Sequence, residues 1–389
     1  MKKISALFLA ILLCLALPVT VLAFSGGNGS PGNPFIITTA AELDAVRDHI
    51  YVIVRRRLPS FSHPPTTFRD LHAHFRLGND IDLTDYLAPG GDGYAKWGWR
   101  GWEPIGVSHF GIGISGSFDG NGHVVRGLWI NRIGSNEVGL FASSRGEIRN
   151  LGVEIAAAGV IGGRRAGGLV GTQWSGTIIN SYATGNVSAG TGVGGLVGAI
   201  EDGSIKNSYA TGNVSGARLV GGLVGFQSSS GSITNSYATG NVSGTGDSVG
   251  GLVGGNMGGS ITNSYAMGDV NGRHSVGGLV GELRGGTITN SYATGNVSDT
   301  SSGGSGGVGG LVGVNVDGSI TESYATGNVS GSGDGVGRLV GQQRDGTITN
   351  SSATGNVSGA GGQGHQRGAF RSATIALPAT PSPNEYPHQ

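Results

Sequence analysis

From residue 166 to residue 359 the apolar positions recur in short pieces and never on a helical period. The leucine of the step "GGLVG" returns at Leu169, Leu196, Leu223, Leu252, Leu279, Leu311 and Leu339. The isoleucine of the step "G-[ST]-I" keeps the same beat, at Ile148 (where the step reads "GEI"), Ile178, Ile205, Ile233, Ile261, Ile288, Ile320 and Ile348, with gaps of 30, 27, 28, 28, 27, 32 and 28 residues. The 32-residue gap holds an inserted glycine-serine stretch, "SDTSSGGSGG" (298–307). No segment places apolar residues at i, i+3, i+4 and i+7, and glycine is too frequent for helix interiors, which argues against helical repeats of similar length. Each period holds a "VGGLVG" block, a variable tetrapeptide and a copy of "GSITNSYATGNVSG" (231–244). Short β-favouring pieces separated by Gly and Asn predict about three strands and three corners per period. That is one coil of an all-β solenoid, about 27–28 residues long, in which coils stack about 4.8 Å apart, so that eight span roughly 38 Å.

Stacking puts equivalent positions above one another. Ile over Ile and Val over Val fill a narrow interior. Asn180, Asn207, Asn235, Asn263, Asn290 and Asn350 are expected to form an amide ladder at one corner, broken by Glu322. Ala183 and its equivalents are expected inside, which turns the tyrosines Tyr182, Tyr209, Tyr237, Tyr265, Tyr292 and Tyr324 outward.

The pattern "GGLVG…GSITNSYATGNVSG" resembles the GLUG motif of bacterial secreted and surface proteins, including immunoglobulin-A-peptidase-like and haemagglutinin-like ones. The resemblance spans 137–359, with seven copies that keep both halves and a degenerate earlier one (Val138-Gly139-Leu140-Phe141, then Gly146-Glu147-Ile148). The preceding segments "NPFIITTAAELDAV" (34–46), "FRLGNDIDLT" (75–84), "WEPIG" (102–106) and "FDGNGHVVRGLWI" (118–130) are similar to what leads into such arrays. The resemblance implies a right-handed parallel β-helix, first coils built from the leader, a short N-terminal capping helix at 40–49, and a surface location. It implies no one activity.

Composition sharpens this picture. The 79 glycines are about a fifth of the chain, against roughly 7% in ordinary proteins. Only 12% of residues are charged, and 24 basic residues balance 24 acidic ones, which removes any bulk argument for nucleic acid. Between Ala166 and Gln363 six basic residues (Lys206, Arg218, Arg273, Arg284, Arg338, Arg344) face ten acids, so the array is mildly acidic. Residues 1–23 read as a secretory signal: Lys2 and Lys3, an apolar run from Ile4 to Leu17, and a small-residue site ending at Ala23, with Phe24 opening the mature chain. Cys14 lies inside that segment, so the mature chain has no disulfides; the apolar run is short for a membrane span. The expected division is a signal at 1–23, a cap and leader coils at 24–136 with an atypical basic loop at 51–74, the repeat solenoid at 137–359, and an irregular tail at 360–389.

Candidate chemistry is sparse. His72 and His74 beside Asp70 are the nearest thing to a metal pair, and they read better as solvated loop residues; no HExxH occurs. Asp80 and Asp82 share a strand face, as paired acids of a glycosidase would, but "NDIDL" reads better as a strand with Ile81 and Leu83 inward. Asp202, Asp247, Asp334 and Asp345 fall in turns at non-equivalent places, and the "GTGDSVG" and "GSGDGVG" turns lack the nine-residue recurrence of calcium repeats. "LPATP" (377–381) departs from a sortase sequence, and the "NVS" triplets follow coil geometry. No catalytic, cofactor or metal residue is assigned.

The expectation is therefore a secreted or cell-surface, adhesin-like module, without activity of its own, whose tyrosine column meets glycans or host or cell-surface proteins. The alternatives are a polysaccharide-active β-helix enzyme and the non-catalytic repeat region of a larger surface peptidase. Ice or crystal binding by a threonine ladder (Thr184, Thr211, Thr239, Thr294, Thr326, Thr354) is interrupted at Met267.

Overall fold

Every period lays down the same short strands, and each strand pairs in parallel with its equivalents in the coils on either side. The computed structural model describes residues 24–47, 72–106, 113–228, 230–300, 306–332 and 335–359. The signal with Cys14, Asp70, most of the atypical loop and the tail with "LPATP" lie outside the described residues. The last residue of that loop, His74, already opens a solenoid strand, His74–Leu77.

The isoleucines head an 11-stranded sheet running from Phe35–Ile37 to Thr347–Thr349. A second, 8-stranded sheet carries the "LVG" step from Phe141–Ser144 to Val340–Arg344. The third wall carries the Tyr-Ala, Val-Ser-Gly and Val-Gly steps, which are separate short strands in later coils and continuous in the 15-residue strands Val124–Val138 and Gly152–Ala166. The isoleucines pair Ile with Ile from Ile148 to Ile348, and all from Ile148 to Ile320 are fully buried. Each contributes roughly 1.5–3 kcal/mol of burial.

The interior is narrow enough to dictate small residues. A Cβ at Gly251 would lie 2.1 Å from Gly278 O and 2.8 Å from Ala266 Cβ, and one at Gly254 would lie 2.5 Å from the Leu219 carbonyl carbon. The "GGLVG" glycines and the alanines after tyrosine therefore face each other across a gap that admits nothing larger.

The leader forms the first coils of the same stack, as expected. Phe35, Phe75 and Phe118 occupy the column that Ile148 continues, with ring centroids 5.8 and 6.3 Å apart. The helix at 40–47 begins with a capping box: Glu42 Oε2 accepts the Thr38 and Thr39 N–H groups at 2.6 and 3.1 Å, and Thr39 Oγ1 accepts the Glu42 N–H at 3.1 Å. Its Leu43 and Val46 are buried in the common core.

Candidate interaction face

Three polar ladders flank the tyrosine column. Asn180, Asn207, Asn235, Asn263 and Asn290 sit at φ 46–50°, the left-handed corner conformation that Asn tolerates. Each donates Nδ2 to the Oδ1 of the Asn one coil earlier at 2.8–3.2 Å, and the chain of amides extends through Asn150 to Asp119. No side-chain bond joins Glu322 to Asn290 or Asn350, so the expected break is present. The next residue is a buried serine: Ser208 Oγ donates to Lys206 O at 2.7 Å and accepts the Ser181 N–H at 3.1 Å, and the pattern repeats to Ser351. Further along, Asn213 Oδ1 accepts the Asn241 N–H at 3.0 Å, in a third ladder that runs to Asn356. Sequence reasoning missed the last two ladders. Their signal was the recurrence of Ser in every "[NE]-S-[YS]-A" copy and of Asn or Asp before every "V-[SN]".

The strand alternation then sets the face. Ala183, Ala210, Ala238, Ala266, Ala293 and Ala325 are 1–2% exposed, and the six tyrosines stand on the opposite side, half-buried. Successive rings lie 4.8–4.9 Å apart at 3–5° to one another, an offset stack at the coil spacing. The rings cover one another's faces, so the column offers ring edges rather than open faces for a sugar. Burial, with its tyrosine neighbours, pushes the Tyr209 phenol up to about 12. Burial likewise raises Tyr182, Tyr237 and Tyr324. Beside the rings runs the threonine column, with Met267 half-exposed in its middle. At one end Tyr182 lies over Gly152; at the other Ser352 takes the place of the next tyrosine.

Above this face the leader presents charge. Arg126 pairs with Asp80 at 2.9 Å and Glu154 at 3.1 Å, and His123 meets Asp80 at 3.2 Å. The Val124 N–H, with His123 and Arg126, holds the Asp80 carboxyl below its usual range. The Thr84 hydroxyl and N–H do the same for Asp82. Ile81 and Leu83 point inward and are buried. Neither carboxyl has the raised pKa of a general acid. His72 Nδ1 lies 3.4 Å from Ser115 O and His74 Nδ1 2.8 Å from Ser117 Oγ; among the described residues no three ligating side chains converge on a metal position. Asp247 of the "GTGDSVG" turn pairs with Arg218 at 3.0 Å.

A stack of parallel coils with residue ladders at its corners defines a β-solenoid repeat protein. The repeat is the GLUG motif, which matches at residues 162–188, 189–215, 216–243, 245–271, 272–298 and 304–330, so the chain carries six GLUG repeats. A "Putative Gly-rich membrane protein" of Evansella cellulosilytica is 37% identical over 164 residues, 39% of this chain and 16% of that protein. Halomucin of Haloquadratum walsbyi is 35% identical over 165 residues, 42% of this chain and 2% of that protein. The chain thus spans a small part of either relative. Among solved structures, a "putative immunoglobulin A1 protease" of Bacteroides ovatus is 24% identical, with a TM-score of 0.48 over 86% of this chain and 87% of that one. An "IgA1 Protease" is 18% identical, with a TM-score of 0.46 over 82% of this chain and 21% of that one. Among the described residues no helix is long and apolar enough to cross a membrane.

Proposed function

We propose that the chain is a secreted or cell-surface interaction module, an adhesin-like rod with no catalytic activity of its own, whose tyrosine column binds glycans or cell-surface proteins through many weak contacts. One observation carries the reading: six equivalent, half-exposed tyrosines form one continuous stack along the solenoid. Stacking freezes the rings before any ligand arrives, so little side-chain entropy remains to be lost on contact. Equivalent contacts along one rod raise avidity by orders of magnitude even where each is weak. The names of the Evansella and Haloquadratum relatives, a membrane protein and a halomucin, agree with a surface setting.

The test replaces Tyr209, Tyr237, Tyr265 and Tyr292 together by serine, which already occupies this position as Ser352 in the last coil. Binding to a glycan array or to cells should vanish while circular dichroism keeps its β signature, and no reducing sugar should be released from any bound glycan. Unchanged binding by the quadruple variant would remove the tyrosine column from the function.

A further inference from the structure

A second surface, on a different face and independent of the tyrosine column, has the chemistry of a ligand site. A groove of 340 Å³ opens between the outer side of the "LVG" sheet and the turn that precedes the "VGG" step. Its floor is Val314 and Val316, two residues apart on one strand. Strand register places Glu282 and Gln342 on the coils either side of Val314, and Arg284 and Arg344 on either side of Val316. The two arginines are therefore two coil steps apart, about 10 Å along the axis. Asp247 and His274, paired in register, make the wall.

The polar groups are unequally committed. Glu282 Oε1 is bound by Arg284 Nε at 2.6 Å and its Oε2 accepts the Ser248 hydroxyl at 3.0 Å. Asp247 is held by Arg218 at 3.0 Å. Arg344 forms no ion pair among the described residues; its Nη2 donates to the neutral Gln342 Oε1 at 3.4 Å. Two of the six basic residues of the mildly acidic array, Arg284 and Arg344, line this groove together with the carboxylates of Asp247 and Glu282, and the Asp247 carboxylate is already matched by Arg218. Charges of both signs thus meet around an apolar floor, and the Arg344 guanidinium is the one of them without a carboxylate partner among the described residues.

We propose that this groove is a subsite for an acidic sugar unit of a polysaccharide lying along the solenoid. The apolar edge of the sugar ring rests on Val314 and Val316. Its carboxylate or sulfate lies over Val316, between the guanidinium groups of Arg284 and Arg344, whose planar donors suit either anion. A carboxylate-bearing chain and a sulfated one share this chemistry.

The experiment titrates the full chain with polygalacturonate, dextran sulfate, neutral dextran and polyglutamate, and repeats each titration with Arg344→Gln. Binding to polygalacturonate or dextran sulfate is expected, weakening with salt, absent for neutral dextran, and reduced about tenfold or more in Arg344→Gln. Which of the two acidic chains binds tells carboxylate from sulfate. Arg344 is exposed, so the variant should keep the parent's thermal midpoint, and the tyrosine quadruple variant should bind these polyanions as the parent does. The proposal is overturned if neither acidic polysaccharide binds, if Arg344→Gln binds as the parent does, or if polyglutamate binds as well as the sugars, which would make the groove a site for acidic peptides.

Discussion

One corner column, followed from end to end, changes its method of construction. At its leader end Asp119 gathers the Asn121 N–H at 2.9 Å, Arg149 at 3.1 Å, Asn150 Nδ2 at 3.2 Å and Arg76 at 3.3 Å. From Asn150 onward the same column is amide on amide, one bond per coil. The outward column beside it changes likewise, from the alternating Asp82, Arg126 and Glu154 to a run of threonines. The physics behind the change is self-complementarity. An amide or a hydroxyl is donor and acceptor at once and can stack on copies of itself, whereas like charges at the coil spacing repel and must alternate in sign. A repeating unit can therefore be copied only if it is nearly uncharged. The leader, which is not copied, can afford unique ion pairs such as Asp44 with Arg47 and Lys96.

The strongest test of that contrast works on whole coils. Deleting 233–260 joins Ser232 to Ile261, keeps every column in register, and should leave a folded protein, since each coil contacts chiefly its neighbours. Deleting 76–118 in the leader removes Lys96, the partner of Asp44, and the Trp102 carbonyl that Arg132 binds, and should leave an insoluble or unfolded chain. Within the array, Ile261→Asp should do more damage than losing the coil, because it buries an unpaired carboxylate at a cost of several kcal/mol. Denaturant unfolding of the three proteins ranks them. A folded Ile261→Asp beside an unfolded 233–260 deletion would refute the columnar reading.

Acid should separate the two regions more gently. Among the described residues, Glu42, Asp44, Asp80, Asp82 and Asp119 are held below their usual range, and these five lie in the leader. Burial pushes Asp119 up, but the Asn121 N–H, Arg149 and Asn150 outweigh it and hold the group low. A depressed folded pKa contributes stability that is complete above the ordinary carboxylate value near 3.8 and is lost as pH falls through the lower folded value. Four of the five tryptophans (Trp97, Trp99, Trp102 and Trp129) are in the leader, so their emission reports it, while tyrosine absorbance reports the array. Below pH 4 tryptophan emission should shift before the tyrosine signal changes. Asp119→Asn should cost about 1.5–3 kcal/mol at neutral pH and flatten this acid response. Coincident transitions would mean that the two regions unfold as one.

The array was legible because repetition multiplies a weak signal: the inward Ile and Ala, the outward Tyr and the Asn ladder with its gap at Glu322 all follow from one period and a coil spacing. The leader's place in the stack was legible only by resemblance, since Phe35, Phe75 and Phe118 stand 40 and 43 residues apart with unlike neighbours. Its ion pairs join residues with no common spacing. The buried serines were overlooked because a hydroxyl between Asn and Tyr reads as surface until the corner turns it inward. That the tyrosine rings cover one another depends on their tilt, which no pattern of residue types states. The groove draws on Asp247, Glu282, Val316 and Arg344 from four coils, at positions where the repeats differ, and a consensus averages those away.

The smallest effect is the most exact probe of self-complementarity. Glu322 stands in the amide ladder at φ 50°, the same left-handed corner as its asparagine equivalents, and it brings a carboxylate that cannot donate. Glu322→Asn would let the new Nδ2 reach Asn290 Oδ1 and the new Oδ1 accept from Asn350, closing the ladder through the last described coil. Two exposed amide bonds, each worth about 0.5–1.5 kcal/mol net at most, and a residue better suited to positive φ should together raise stability by about 1 kcal/mol. Glu322→Ala isolates the backbone contribution: it removes the charge without adding a donor and places a Cβ residue with no polar group at positive φ, so it should be neutral or slightly destabilising. The difference between the Asn and Ala variants, read from denaturant midpoints at constant m, is the ladder's own share. If Asn gains nothing over Ala, the asparagines are there for the corner's backbone alone, and the chain of amides is a consequence of the stack rather than a part of what holds it.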